Sequence, residues 1–117
     1  IQLLLFVCAI ITVLERIYEE SPCVGNITVY SSYINNGLVC NSLYDLSSIT
    51  ENTTDSEMCS IVKGNRNCDS AFIRNACGDL YGWLIERFWL AAAEVFFPQC
   101  VSDLESDQIS LPPNQTS

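Results

Sequence analysis

The chain has 117 residues, 14 of them acidic and 5 basic, no histidine, and a formal net charge of −9. That charge repels phosphate backbones and anionic lipid surfaces, so neither nucleic acid nor a membrane surface is an expected partner of the mature chain. The absence of histidine excludes the common general base, the serine and cysteine triads that use it, and most catalytic zinc sites.

Residues 1–20 open with IQLLLFVCAIITVL, an apolar run broken only by Gln2 and Thr12. A bilayer needs about 20 apolar residues, so this run is too short to span one. It reads as the core of a secretory signal whose first part is missing. Val7-Cys8-Ala9 offers small residues for cleavage, which would remove Cys8. The alternative is an amphipathic first helix that stays on the chain, with Cys8 an unpaired thiol.

Residues 21–100 form the expected domain. They carry six cysteines, Cys23, Cys40, Cys59, Cys68, Cys77 and Cys100. An even set in so short a chain is the mark of an oxidising compartment, where disulfides make up for a small core. Fifteen pairings are open to six cysteines. Eight residues separate Cys59 from Cys68 and Cys68 from Cys77, which lacks the tight spacing of zinc ligands, so no metal is expected. Export is supported separately by three glycosylation acceptors, at Asn26, Asn52 and Asn114.

Residues 24–50 read two ways. Ile27, Tyr30, Ile34 and Leu38 have helical spacing, whereas the β-branched and aromatic residues and the Asn36-Gly37 pair suit a hairpin. Helix is favoured, because strict alternation fails at Ser31 and Ile34. Thr54-Asp55-Ser56-Glu57 then matches a capping box, predicting a helix that carries Cys59 and Val62 and ends at Gly64. Asn65-Arg66-Asn67 is the expected loop, with Asp69 in the first turn of the next helix.

From Asp69 to Phe97 the periodicity is helical. Cys77, Tyr81, Leu84, Phe88, Ala91 and Val95 fall within about 40° of one line and form the expected core face. Gly78 and Gly82 suggest close packing or a break between two shorter helices. Pro98 ends the pattern. Trp83, Leu90 and Phe97 recur every seven residues on the opposite side, as either a second buried side or a binding face. Glu86 and Glu94 stand on one side of this helix as a candidate carboxylate pair, although a solvated surface is the simpler reading. Residues 101–117, acidic and proline-bearing, are expected to be a disordered tail.

Residues 59–100, with Cys59, Cys68, the Cys77-Gly78 pair, an amphipathic helix and the closing Cys100, resemble nematode secreted cysteine-rich domains, the chondroitin proteoglycan 4 group and the related domain of unknown function 19. The resemblance implies a small exported helical domain without enzyme activity. This chain has no Ser-Gly dipeptide, so a proteoglycan role does not follow.

The expected protein is thus an all-α, disulfide-stapled helical bundle with a long C-terminal helix, secreted and non-enzymatic, with no cofactor. Its expected role is an extracellular interaction or structural module, with self-association open. The alternatives are a carrier of a small apolar ligand such as a lipid, and a secreted inhibitor or toxin-like effector presenting Arg66 as bait.

Overall fold

A computed structural model of the chain describes residue 23 and residues 25–108. Those residues are all-α. Four α-helices follow one another: α1 (Ile27–Leu43), α2 (Asp55–Cys77), α3 (Asp79–Phe96) and the short α4 (Val101–Ser106). Two single 3-10 turns, Leu46–Ser48 and Pro98–Cys100, lie between them.

The helix reading of residues 24–50 holds despite the Asn36-Gly37 pair. Asn26 caps α1, its Oδ1 accepting from the amides of Thr28 at 2.9 Å and Val29 at 3.4 Å. That satisfies donors which the first turn of any helix leaves open. The β-branched residues lower intrinsic helix propensity, and tertiary attachment overrides them. A disulfide joins Cys40 to Cys68 of α2, and another joins Cys23, just ahead of the helix, to Cys77 at the end of α2.

The capping residue of the Thr54 to Glu57 signature does what its sequence implies. The Thr54 hydroxyl accepts from the Glu57 amide at 3.1 Å, and Asp55 and Glu57 place negative charge in the first turn of α2. The expected end at Gly64 is wrong: α2 runs unbroken for 23 residues to Cys77. Gly64 has a packing role, because the ring of Tyr44 lies directly on its Cα and occupies the space of a side chain. Gly64→Ala is therefore expected to lower stability by about 1–3 kcal/mol through overpacking. In a Tyr44→Ala background the same change should instead stabilise by about 1 kcal/mol, since alanine is the better helix former. Denaturant melts of the four variants read this sign reversal.

The long C-terminal helix is present and starts at Asp79, because of the two readings of the glycines the break is the one taken, at Gly78. Its φ of 104° and ψ of 175° lie in a region essentially restricted to glycine. The turn reverses the chain and lays α3 back along α2. Gly82 permits the close approach, since a Cβ there would stand 2.9 Å from Nε of Arg74.

The core has two centres. Ile73 of α2 with Leu84 and Ile85 of α3 form one, flanked by Tyr33, Phe72 and Trp83. Val62, Leu90, Ala93 and Leu104 form the other, flanked by Leu46, Met58, Phe97 and Val101. Residues 101–108 are therefore part of the domain and not a disordered tail. Leu104 is 1% exposed, and the third disulfide, Cys59 to Cys100, fixes the chain just before it. The domain boundary expected at residue 100 moves to at least 108.

Candidate functional site

Of the six cysteines expected to pair, all six do. Asn26 and Asn52 are both exposed, the first at a helix cap and the second in the turn before α2. The cap at Asn26 uses Oδ1, whereas a glycan bonds Nδ2, so capping and glycosylation are geometrically compatible. Asn114, residues 1–20 and the end of the tail lie outside the described residues.

The remaining candidate residues fall in places that change their meaning. Leu90 is buried in the second core centre, Phe97 packs against the same centre, and Trp83 packs against the first. Of the two readings of their stripe, a second core side is the one the packing supports. α3 is covered on that side because α4 folds over it. Glu86 accepts from Ser70 and from Arg74, each at 3.1 Å, while Glu94 is exposed. Eight residues along a helix separate these carboxylates by about 12 Å of rise, too far apart for a glycosidase pair.

Arg66 is not a bait loop. It lies inside α2, 2% exposed, and its guanidinium donates to the carbonyl of Leu104, to Asp107 Oδ2 and to Asn67 Oδ1, each at 3.1 Å. Lys63 pairs with the same Asp107 at 2.8 Å. The hydrogen bond from Lys63, aided by Arg66, holds the Asp107 carboxyl below its ordinary 3.8. Stability from this group is present above 3.8 and is lost as pH falls through the depressed folded value.

Asp69 sits in mid-helix and not in a first turn. It is buried between α1 and α3, where its Oδ2 accepts from Trp89 Nε1 at 2.9 Å and from the Tyr33 hydroxyl at 3.4 Å. Burial raises its pKa above the ordinary 3.8, and the two hydrogen bonds offset this only in part. Burial, and then the facing Asp69 charge, likewise push the Tyr33 phenol far up. The sign for Asp69 is opposite to that of Asp107. In the window from 3.8 to the raised folded value the native state binds more protons than the unfolded one, so stability falls as pH rises. Asp69→Asn should flatten that part of the stability profile, as denaturant melts across a pH series would show. An unchanged slope in the variant would remove Asp69 as its cause.

These attachments decide which side of α1 faces inward. Cys40 and Tyr33 are drawn towards α2, and Asn65 of α2 donates to Asn41 Oδ1 at 2.8 Å and to the Tyr44 carbonyl at 3.0 Å. The stripe of Ile27, Tyr30, Ile34 and Leu38 consequently points outward, with Ile27 76% and Leu38 65% exposed. Val39 and Leu43 are also exposed.

No charged residue occurs anywhere in α1, or from Ser21 to Tyr44, although the chain carries 19 charged groups elsewhere. Gly37 lies on the flank of the stripe, two turns beyond Tyr30. A glycine inside a helix costs about 1 kcal/mol relative to alanine. Here a Cβ would meet nothing within 4 Å, so packing within the chain does not call for glycine at this position. A solvated helix in an acidic protein would normally carry charge on its outer side. This uncharged apolar face is the candidate site.

Among the described residues no group of three or more His, Cys, Asp or Glu side chains is assembled to hold a metal ion, and no helix is long and apolar enough to cross a membrane. Comparison with protein-family models, curated proteins and solved structures finds no match for the chain.

Proposed function

We propose that the chain is a secreted, non-enzymatic interaction module that uses the outward face of α1 to bind another protein outside the cell. The observation that carries this reading is the pairing of an exposed, uncharged apolar helix with two disulfides that clamp it in place. An exposed apolar surface rimmed by polar residues is characteristic of binding sites. Ser31, Asn35, Asn41 and Ser42 supply such a rim, all exposed and all neutral. Fixing the helix covalently lowers the ordering penalty of association. The six paired cysteines and the acceptors at Asn26 and Asn52 support an oxidising, glycosylating route, and the resemblance of residues 59–100 to secreted nematode cysteine-rich domains points the same way. A chain without histidine favours binding over catalysis.

Expression behind a complete secretion signal in a secreting cell is the test. The protein is expected in the medium, with no alkylatable thiol among the six cysteines before reduction and a glycosidase-sensitive mass. Retention inside the cell with free thiols would overturn the secreted reading. Leu38→Glu is expected to leave secretion intact while abolishing capture of the binding partner from the native extracellular fluid.

A further inference from the structure

We infer that the occupant of the α1 face is a second copy of this chain, packed α1 against α1 about a twofold axis near Ile34. This inference rests on the preceding reading of α1 as the binding face and names its partner.

Charge is the first argument. A protein of net charge −9 repels its own copies through most of its surface. The segment from Ser21 to Tyr44 is the long exception, and it carries no charge of either sign. Partners recognised by charge would need complementary groups here, and α1 offers none. Two α1 helices can meet without bringing any like charges together, and the acidic residues then lie on the outer sides of both copies.

Pattern is the second. A twofold contact must be self-complementary, residue i meeting residue j and residue j meeting residue i. When two α1 helices run antiparallel with Ile34 on the axis, Ile34 meets Ile34 of the second copy, and Tyr30 meets Leu38 on both sides. Tyr30, Ile34 and Leu38 then each face an apolar residue, and Ile27 at the end of the stripe faces Asn41. The same register sets the ring of Tyr30 over Gly37 of the second copy. Gly37, which its own chain's packing does not require to be small, is thereby given a neighbour that does require it. Small residues at helix contacts allow the axes to approach closely, and Ser31 lies on the same surface.

Size sets the strength. α1 is about 25 Å long, so a contact made by this helix alone sits at the small end of specific interfaces. The dimer should be a concentration-dependent equilibrium of weak to moderate affinity.

Sedimentation velocity on the secreted, glycosylated protein, from low micromolar to several hundred micromolar, should show the mass rising towards twice that of the monomer. Ile34→Glu and Ile34→Lys, each at a half-exposed position that the monomer fold does not need, should each weaken association at least tenfold while leaving the helical circular dichroism unchanged. An equimolar mixture of the two should associate at least tenfold more tightly than either alone, because opposite charges then meet on the axis. Leu38→Glu serves as a second disrupting variant if a substitution at Ile34 impairs folding.

A monomer at every concentration would overturn the inference. So would a dimer indifferent to these substitutions, or protection of the α1 face from surface labelling in the monomer, which would mean that residues 1–22 cover it. If the protein is monomeric yet Ile34→Glu abolishes capture of another extracellular protein, the interaction reading survives and only self-pairing fails. If Ile34→Glu changes neither, both fail.

Discussion

Reduction of the three disulfides is expected to abolish the cooperative unfolding transition at physiological temperature. The bonds close sequence separations of 54, 28 and 41 residues. On the chain-entropy account each loop of this length is worth roughly 3.5–4 kcal/mol. The loops overlap, so the sum overstates the total, but even half of it rivals the roughly 5–15 kcal/mol of an ordinary domain's stability. The two core centres have only seven buried members between them and cannot make up that loss. Calorimetry with and without reductant reads the effect directly. A sharp transition persisting above physiological temperature in reductant would show that packing alone suffices.

Arg66→Ala is expected to cost about 3 kcal/mol and to release α4. The change removes a large buried side chain and leaves the Leu104 carbonyl without its donor. It also unties Asp107, which holds the end of α4. Arg66→Lys should recover little, because an ammonium cannot reproduce a planar fork that serves three acceptors at fixed angles. Arg66→Met separates volume from hydrogen bonding: it should restore part of the global stability while leaving α4 loose. Hydrogen exchange of residues 101–106 distinguishes the two effects. Unchanged protection of those amides in Arg66→Met would show that α4 is held by Leu104 and Val101 alone.

Much of the helical architecture was legible in the amino-acid pattern, because the signals that make helices are local. The Thr54 cap, the periodicity of residues 69–97 and the stop at Pro98 all act within a few residues of where they stand. The glycines show where local reading runs out. Gly64 and Gly78 look alike in sequence, yet one stays helical and leaves its side-chain space to Tyr44, twenty residues away, whereas the other adopts a positive φ and turns the chain. Only a tertiary neighbour separates the two cases.

The two open readings of the Trp83, Leu90 and Phe97 stripe have a similar origin. With residues beyond Cys100 taken as a free tail, nothing was left to cover Leu90 and Phe97, so that side of α3 stayed open to a binding role. Leu104 covers it, and the signal that could have revealed this was Val101 and Leu104, three residues apart, within an otherwise acidic stretch. In α1 the stripe of Ile27, Tyr30, Ile34 and Leu38 marked a helix correctly, but periodicity cannot say which way a stripe faces. Cys40 and Tyr33 decide that, through bonds to residues 28 and 36 positions away.

The disulfide map has a further consequence for a protein that meets proteases. Each bond has one end on α2, at Cys59, Cys68 or Cys77, and the other on a different part of the chain. The link from Cys23 to Cys77 and the link from Cys59 to Cys100 overlap, so every peptide bond between residues 23 and 100 is bridged by at least one of them. A single proteolytic cut anywhere in that interval, including the exposed turn before α2, yields a nicked molecule whose two pieces remain covalently joined. Such a clipped copy keeps α1 fastened at Cys23 and Cys40, gains only the mass of one water, and comes apart only when it is both cut and reduced.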